Sequence, residues 1–419
     1  MKRALLITIY IITGLQYLSA QSHPLVIKAT SKNIKILDGD DLLEGVLVPE
    51  LKPDIYVYHK ANRPKKIIYY TDIDSASFEV RPGDSYDFII VLNNKDSCYQ
   101  KVSYQNPGKV KYSKPHSRAA SRTDTIPFIL GANNAIHIKG RINNSDILDL
   151  IFDTGASVGV LSDQGSDKKA TLNDNNKNKF EFSGVVIENS PAIFVDYNGG
   201  LQADGVIGYN AFEDKIVEIN YDKSIMVIHD SIRDISQSYS VNDMKWRGST
   251  LHIECKLSIG NKEFQELLIF DTGSKWAMSL KKEFATKNQL YNVLPRVGTR
   301  RAKGVDGKTV KSNTYTLPLL QIGGLSLINV PMDLELPSDG AGLNYNILGN
   351  DVLKRFNVIL DYKNGLIYLQ PNSLIHAGYN KSFDETIILI VITTLIALCI
   401  IGILIYKNRK SKLTKSQRF

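Results

Sequence analysis

The tripeptide Asp-Thr-Gly occurs twice in this 419-residue chain, each time directly after an apolar run. The first copy ends the segment Leu150–Gly155 and the second ends Leu268–Gly273. Apolar runs of this kind predict buried strands. A single copy is expected by chance in roughly one chain in ten of this size, and its simplest interpretation is a turn in which the aspartate caps its own backbone. Two copies that share Ile-Phe-Asp-Thr-Gly instead indicate one site built from two matching acidic loops.

The sequences around the two loops also match, so a whole unit is duplicated. His137–Ile138 precedes the first loop as His252–Ile253 precedes the second, and Val206–Gly208 matches Ile347–Gly349 after the loops. The aspartates are offset by 118 residues (271 minus 153) and the glycines by 141 (349 minus 208), so the second copy has a longer middle segment. A long unit that occurs only twice predicts two pseudo-symmetric lobes in one chain, a monomeric pseudo-dimer. We interpret the two histidines as strand residues rather than ligands.

The two aspartates, Asp153 and Asp271, are expected to meet where the lobes face each other. Like charges about 3 Å apart cannot both ionise, so such a pair shares one proton. The charged member can take a proton from water while the protonated member donates a hydrogen bond to a carbonyl oxygen. This arrangement predicts direct attack of water on an amide, without a covalent intermediate.

The residues after each aspartate suit this task. Gly155 and Gly273 allow a tight turn close to the partner loop, and Thr154 and Thr272 have hydroxyls that can hydrogen-bond across the lobe interface. The loops differ at the next position, which is Ser274 in the second and an alanine in the first. A hydrogen bond to a carboxylate favours its charged form. We therefore expect the serine hydroxyl to keep the second aspartate charged and to leave the shared proton on the first.

Residues 128–372 resemble aspartic peptidases of the pepsin and retropepsin clan, with both Asp-Thr-Gly motifs and both apolar-apolar-Gly partners present. The lobes are short, so the resemblance is closest to bacterial two-lobed retropepsin-like proteases. The resemblance implies a mainly β, bilobal acid-protease β-barrel fold and endopeptidase activity on extended peptides. It also implies that Asp153 and Asp271 form the catalytic dyad, with Thr154 and Thr272 as interlobe hydrogen-bonding residues and no cofactor.

A hairpin flap over the cleft has one good candidate, which lies in the second lobe. An Asp-Gly pair is a strong hairpin signal, and it occurs within the candidate flap residues Gly304, Val305, Asp306 and Gly307. The alternative is an ordinary surface turn. The equivalent stretch of the first lobe, Asn173–Asn178, predicts a polar loop and leaves open how that side of the cleft is covered.

A serine hydrolase is the rival enzyme class. Gly155–Gly159 matches the Gly-x-Ser-x-Gly pattern of a nucleophile elbow, with Ser157 as the nucleophile. Its repeat mate Gly273–Ala277 lacks the pattern, and an elbow needs alternating strands and helices that this chain does not predict. We therefore favour the aspartates over the serine.

Other charged and metal-binding patterns give little support for a second site. Arg296, Arg300, Arg301 and Lys303 form a basic cluster before the candidate flap. We interpret the cluster as a solvated loop face in preference to a subsite for acidic peptide residues. The histidines are scattered, without His-Glu-x-x-His or Cys-x-x-Cys, so no metal site is predicted.

Both ends of the chain carry targeting signals. Residues 1–20 combine a basic start, an apolar stretch and a small-residue end, which predicts a secretory signal peptide. Residues 386–406 are uncharged and mostly apolar, long enough for a transmembrane helix. The basic tail 407–419 is then cytoplasmic by the positive-inside rule, and the lobes are periplasmic or extracellular. The chain is thus predicted to be a single-pass membrane protein.

The formal net charge of +8 is explained by this topology. Two of the 51 basic residues lie in the signal peptide and six in the tail, which leaves 43 basic against 43 acidic residues between them. Nucleic acid is therefore not indicated as a partner. Of the three cysteines, Cys399 lies in the predicted span, and the sequence leaves open whether Cys98 and Cys255 pair.

Strand-like segments predict a small β domain over 21–106, joined by a linker at 107–127 to a first lobe at 128–238 and a second at 239–372. We expect a membrane-anchored aspartic endopeptidase with a polypeptide substrate. The alternative is a catalytically silent, protease-like receptor or scaffold at the cell surface. Neither loop has a substitution at Asp, Thr or Gly, which weakens the alternative.

Overall fold

The computed structural model describes residues 24–379 except 40, 48, 50–53, 59–63, 82, 105–110, 114–122, 174–176, 198–199, 233, 304–308 and 338–342. The predicted signal peptide, span, cytoplasmic tail and flap residues 304–307 therefore lie outside the described residues, as does most of the linker. Within the described residues, no helix is long and apolar enough to cross a membrane. The fold is mainly β, with barrel-like sheets, as the sequence predicts. It divides into two compact units between Gln105 and Asn106.

The amino-terminal unit is built from two four-stranded sheets, ordered β1-β7-β8-β4 and β3-β2-β5-β6. Its strands alternate buried and exposed residues, as a sheet with one solvated face requires. Aromatic rings fill its core, where Phe88 packs 4.8 Å from Tyr69 and 5.0 Å from Phe78 between ring centroids. The strands are β1 (Leu25–Ala29), β2 (Asn33–Asp38), β3 (Asp41–Val46), β4 (Asp54–Tyr58), β5 (Lys65–Tyr70), β6 (Ser75–Val80), β7 (Ser85–Leu92) and β8 (Asp96–Tyr104).

Within the described residues, the first repeat of the second unit has a short helix and twelve strands. The helix α1 (Asp163–Ser166) is capped by the Ser162 hydroxyl, which accepts from the amide of Gly165. The strands are β9 (Lys111–Ser113), β10 (Thr123–Pro127), β11 (Ile129–Leu130), β12 (Ile136–Ile142), β13 (Leu148–Asp153), β14 (Gly159–Ser162), β15 (Asn178–Phe182), β16 (Val185–Ser190), β17 (Ala192–Val195), β18 (Gly205–Gly208), β19 (Ile216–Asn220) and β20 (Ile225–His229). A 3₁₀ turn at Tyr209–Phe212 follows β18.

Among the residues that the structure describes, the second repeat has eleven strands and two short helices, α2 (Lys282–Lys287) and α3 (Asn350–Leu353). A 3₁₀ turn lies at Leu290–Asn292. The strands are β21 (Ser240–Asp243), β22 (Lys245–Arg247), β23 (Thr250–Ile259), β24 (Lys262–Asp271), β25 (Met278–Leu280), β26 (Gly298–Lys303), β27 (Thr309–Ile322), β28 (Leu325–Glu335), β29 (Ile347–Gly349), β30 (Phe356–Asp361) and β31 (Leu366–Pro371).

The two repeats share one strand pattern around the acidic loops. In the first, β13 pairs in parallel with β18, so that Asp153 lies opposite Gly208. In the second, β24 pairs in parallel with β29, so that Asp271 lies opposite Gly349. The matching parallel pairs β14–β17 and β25–β28 lie farther along each sheet. Each apolar-apolar-Gly strand thus supports the acidic loop of its own repeat.

A six-stranded sheet, ordered β10-β20-β19-β30-β31-β21, joins the repeats. At its centre β19 and β30 run antiparallel, with Glu218 opposite Ile359. These two residues are themselves equivalent in the repeat, since 218 plus 141 is 359. The pseudo-twofold axis therefore passes between them, and one hydrophobic core extends through both repeats.

The two described cysteines are free thiols. Cys98 is fully buried in the core of the amino-terminal unit, and Cys255 in the core of the second unit. Burial raises the pKa of each thiol, so both act as small apolar core residues.

Candidate active site

The acidic loops of the two repeats meet. A Cβ atom placed on Gly273 would lie 2.3 Å from Cγ of Asp153, and one on Gly155 would lie 2.8 Å from Cγ of Asp271. Any side chain at either glycine would therefore collide with the aspartate of the other loop. Glycine is required here because the partner carboxyl occupies the place of its side chain.

The carboxyl groups of Asp153 and Asp271 hydrogen-bond to each other. Oδ1 of Asp153 accepts the amide of Gly155 at 2.7 Å, and Oδ1 of Asp271 accepts the amide of Gly273 at 2.9 Å. Both aspartates are half-buried, so their outer faces stay open to solvent. The amides fix both carboxyl groups in one orientation.

The two threonines hold the loops together reciprocally. The amide of Thr154 donates to Oγ1 of Thr272 at 3.0 Å, and the amide of Thr272 donates to Oγ1 of Thr154 at 3.0 Å. The hydroxyl of Thr154 donates to the carbonyl of Phe270 at 2.5 Å, and the hydroxyl of Thr272 donates to the carbonyl of Phe152 at 2.9 Å. Both threonines are fully buried. The amide and the hydroxyl of each threonine thus have partners in the other repeat.

The pKa of both carboxyl groups is raised. Burial is the main cause at Asp153. At Asp271 burial and then the charge of Asp153 raise the pKa well above its usual range. The larger rise at Asp271 favours the shared proton on Asp271 and the charge on Asp153, although titration belongs to the pair. This assignment is the reverse of the one that we expected from the sequence.

Ser274 contacts the dyad through its amide and not through its hydroxyl, which explains the reversal. Its amide donates to Oδ1 of Asp271 at 2.8 Å. Its hydroxyl lies instead beside Gly349, 2.9 Å from where a Cβ on that glycine would be. The carboxyl group of Asp153 accepts an amide hydrogen bond from its own loop as well, from Gly155, while the amide of Ala156 donates to the main-chain carbonyl of Asp153 at 3.3 Å. The serine hydroxyl therefore gives Asp271 no advantage.

Within the described residues, no histidine hydrogen-bonds to the rival nucleophile. Ser157 is half-buried in the first loop, and none of the described hydrogen bonds joins it to a histidine. His137 contacts Asp149 and Asn133, each at 3.0 Å, while His252 contacts the carbonyl of Thr250. Both histidines occupy strands, as predicted.

Tyr197 is a residue near the dyad that sequence reasoning missed. Burial and the charge of Asp153 raise its pKa to about 12. Its amide donates to Oδ1 of Asp163 at 3.2 Å, and its ring packs in a small apolar cluster with Ala156. It belongs to the segment between β17 and β18, where no motif marks it. Its phenol is therefore a further group that senses the charge of Asp153.

The prediction of a solvated basic cluster is wrong for Arg300, which is 6% exposed. Its Nη1 donates to Oδ2 of Asp333 at 2.7 Å, and Thr314 donates to the other oxygen at 2.6 Å. The guanidinium also lies 4.0 Å over the ring of Trp276, just beyond the second acidic loop. Asp333 comes from β28, far away in the sequence, so charge patterning gave no sign of this pair. Arg296 and Arg301 are exposed, as expected.

The candidate flap residues Gly304, Val305, Asp306 and Gly307 lie outside the described residues. The strands on either side, β26 and β27, pair antiparallel from Lys303 opposite Thr309 to Gly298 opposite Thr314. The arms of a hairpin are therefore present, and the role of its tip stays a prediction.

Neither a scan against protein-family models nor a search of curated proteins finds a match to this chain. The geometry of the site is therefore the basis for assigning a function. Two carboxyl groups in contact share one proton and remain accessible from solvent, which allows one to act as a base and the other as an acid.

Proposed function

We propose that this chain is a membrane-anchored aspartic endopeptidase with a bilobal acid-protease fold. The observation that supports it best is the reciprocal contact of the two loops, in which each glycine lies against the other aspartate. Each carboxyl group is held by main-chain amides, and the two groups face each other. Two Asx turns without a joint function would not require this arrangement.

In the proposed reaction a water molecule between the carboxyl groups attacks the carbonyl carbon of a peptide bond. Asp153, the charged member, takes one proton from the water, and Asp271 gives its proton to the carbonyl oxygen. The product is a tetrahedral diol. Asp153 then gives its proton to the amide nitrogen, a hydroxyl of the diol returns a proton to Asp271, and the carbon–nitrogen bond breaks. An amine and a carboxylic acid leave, and the dyad regains its starting protonation.

The proposed enzyme is one chain with two lobes, anchored in the membrane by one span. The sequence of 386–406 and the basic residues after it support a single membrane span with the catalytic lobes outside and the tail 407–419 inside. The symmetric register at the centre of the six-stranded sheet supports a pseudo-dimer within one chain. The substrate class is polypeptide, and the proposed chemistry uses no cofactor.

A peptide-cleavage assay tests the proposal. The full-length chain in detergent is incubated with a mixed peptide library, with and without a statine-type inhibitor that mimics the tetrahedral diol. Asp153→Asn and Asp271→Asn should each reduce kcat at least about 10³-fold, because each removes one half of the acid–base pair. Asp243→Asn is the matched control, because that aspartate is 69% exposed.

The competing interpretations give different outcomes. Loss of activity in Ser157→Ala, with the protein still folded, would favour a serine nucleophile. A chain that folds but cuts no peptide in the library would favour the silent receptor or scaffold. Cleavage that the inhibitor blocks and both aspartate substitutions abolish is the result that we expect.

A further inference from the structure

The residue that follows each apolar-apolar-Gly strand is hydrogen-bonded to the acidic loop of its own repeat. These residues are Tyr209 and Asn350, which are equivalent in the repeat, since 209 plus 141 is 350. The amide of Tyr209 donates to the carbonyl of Ala156 at 3.0 Å, and the amide of Asn350 donates to the carbonyl of Ser274 at 2.8 Å. Both acidic loops are therefore held in the same way from within their own repeat.

The side chains of the same two residues cross to the other repeat. The hydroxyl of Tyr209 donates to the carbonyl of Ser249 at 2.7 Å, and Nδ2 of Asn350 donates to the carbonyl of Asn134 at 2.5 Å. Ser249 and Asn134 are equivalent as well, because 134 plus 115 is 249 and the histidines three positions later have the same offset. Each acidic loop is thus connected to the other repeat through the residue after its supporting strand.

Asn134 also holds the second acidic loop directly. Its Nδ2 donates to the carbonyl of Lys275, four residues after Asp271, at 2.9 Å. Its Oδ1 accepts Nζ of Lys354 at 2.8 Å, and the same ammonium group pairs with Asp351 at 2.9 Å. An ammonium group can only donate, so it keeps Oδ1 on its own side and directs Nδ2 toward the loop.

Tyr221 completes this set of contacts from the first repeat. Its hydroxyl donates to Oδ1 of Asn350 at 2.6 Å, and both side chains are buried. We call Asn134 and Tyr221 of the first repeat, with Asn350 and Lys354 of the second, the interlobe network. Within it, each side-chain oxygen that accepts a hydrogen bond fixes the direction in which the amide of the same side chain donates.

The first acidic loop has fewer contacts of this kind within the described residues. Its equivalent of Lys275 is Ser157, and none of the described hydrogen bonds joins the carbonyl of Ser157 to a side chain of the second repeat. The equivalent of Tyr221 is Tyr362, whose hydroxyl has no hydrogen-bond partner in the described part of the chain. The additional contacts therefore act on the loop that carries Asp271.

The direction of the Asp271 carboxyl group depends on the backbone of its loop. Its Oδ1 accepts the amides of Gly273 and Ser274, at 2.9 and 2.8 Å. The carbonyls of Ser274 and Lys275 come next along the same backbone, and these are the groups that the interlobe network holds. A shift of these carbonyls would move the two amides and, with them, the carboxyl group.

We propose that Asn134 is a positioning residue for Asp271, which holds the second acidic loop from the first repeat in the orientation in which the carboxyl group reacts. This inference rests on the proposed endopeptidase function. Displacement of a reacting group by about 1 Å costs roughly 10²-fold in rate. Asn134 is only 5% exposed, so it acts through the loop and not on the bound peptide. Its loss should lower kcat and leave KM.

The test measures kcat and KM of the full-length chain in detergent, with the peptide that the library assay shows to be cut fastest. Asn134→Gly removes both side-chain contacts, but it keeps the carbonyl that Asn350 binds and suits the left-handed backbone at this position, where φ is 59°. We expect kcat to fall roughly 10- to 100-fold. KM should change by less than about twofold, because no contact with the substrate is lost.

Asn143→Gly is the matched control. Asn143 also has a left-handed backbone, with φ at 51°. Its side chain donates to the carbonyl of Thr171 at 2.7 Å and accepts the amide of Lys179 at 2.9 Å. None of its described contacts involves an acidic loop. Its kcat should therefore stay within about twofold of that of the original chain.

The equivalent tyrosines give a second, milder comparison. Tyr221→Phe removes the hydroxyl that supports Asn350 and keeps the ring, which packs 5.7 Å from Phe128 between centroids. It should lower kcat at least about threefold, since the loop loses one indirect support. Tyr362→Phe makes the same change where the hydroxyl has no partner within the described residues, and it should leave kcat unchanged.

Each outcome decides one question. If the original chain cuts no library peptide, the proposed function is wrong. If it cuts peptides but a folded Asn134→Gly loses no more kcat than Asn143→Gly, the endopeptidase stands and the positioning role is wrong. A rise in KM without a loss in kcat would also overturn that role. Should Asn134→Gly fail to fold, the tyrosines decide: a slower Tyr221→Phe supports the inference, and equal kcat in both phenylalanine variants overturns it.

Discussion

The two repeats place the same acidic loop in different surroundings. Beside the first, a phenol from Tyr197 lies near Asp153. Beyond the second, Trp276 lies under the buried guanidinium of Arg300, where the first repeat has Val158 at the equivalent position. The strand pattern that brings the loops together is common to both repeats, whereas the residues around the loops are not. The chemistry that we propose would therefore need only the loops and their supporting strands, which leaves the surroundings free to differ.

The segments between the aspartate and the glycine of each repeat also differ. The second repeat is 23 residues longer between its aspartate and its glycine, since 141 minus 118 is 23. Within the described residues, the second repeat has α2, a 3₁₀ turn and the long hairpin β26–β27 between β25 and β28, while the first has only α1 and the shorter hairpin β15–β16 between β14 and β17. The cleft is therefore asymmetric although the dyad is nearly symmetric.

The sharpest test of loop symmetry is to add one methyl group to each loop. Gly273→Ala would place Cβ 2.3 Å from Cγ of Asp153, and Gly155→Ala would place it 2.8 Å from Cγ of Asp271. Both should reduce kcat/KM by roughly 10²-fold or more, since displacement of a reacting group by about 1 Å has such a cost. The loss should be larger for Gly273→Ala.

The control is Gly378→Ala, because a Cβ there meets no atom within 4 Å. Circular dichroism and thermal melts should show both loop variants folded. Near-normal activity in either would mean that the two aspartates do not act as one site.

The equivalent histidines allow a test by pH. His137 has polar partners, while His252 is fully buried and its Nε2 has no hydrogen-bond partner within the described residues. Burial lowers the pKa of His252 to about 4. Its unfolded-state pKa is about 6.5, so the unfolded chain binds a proton first as the pH falls. The free energy of unfolding therefore falls between about pH 6.5 and pH 4. At pH 4.5 the protonation of this one histidine lowers it by roughly 2–3 kcal/mol.

Replacement of His252 by phenylalanine removes that proton-binding site and keeps a ring against Tyr345, 5.0 Å away between centroids. Urea unfolding at pH 7.5 and pH 4.5 should show a smaller acid-induced loss in His252→Phe than in the original chain. An equal loss in both would show that other groups account for the acid sensitivity.

Much of the site could be predicted from the sequence because a duplicated motif identifies its own partner. The aspartates, threonines and glycines are marked twice, and the strands around them follow from apolar runs. Tyr197, Arg300 and Arg355 could not be predicted in this way. Tyr197 and Arg300 contact residues distant in the chain, Asp163 and Asp333. Arg355 is fully buried against main-chain carbonyls, which leaves no pattern in composition or spacing.

The threonines test whether the two repeats contribute equally to their interface. Thr154→Val leaves the amide of Thr272 and the carbonyl of Phe270 without partners, and Thr272→Val does the same to Thr154 and Phe152. Each unsatisfied buried group costs about 1–3 kcal/mol. Both variants should therefore lose about 2 kcal/mol or more, by amounts that agree within about 1 kcal/mol. Denaturant unfolding of both variants measures these losses. If only one variant were destabilised, the reciprocal interface would be contradicted.

The smallest expected effect concerns the one difference between the loops, Ser274 against Ala156. The amide of Ser274 contacts Asp271, and an alanine keeps that amide, while the hydroxyl lies beside Gly349. Ser274→Ala should therefore leave the acid limb of the pH–rate profile in place, because the charged form of the dyad loses no hydrogen bond. A shift of that limb to higher pH would mean that the hydroxyl supports a charge on Asp271. The shared proton would then belong on Asp153, and the roles of the two repeats in the reaction would be exchanged.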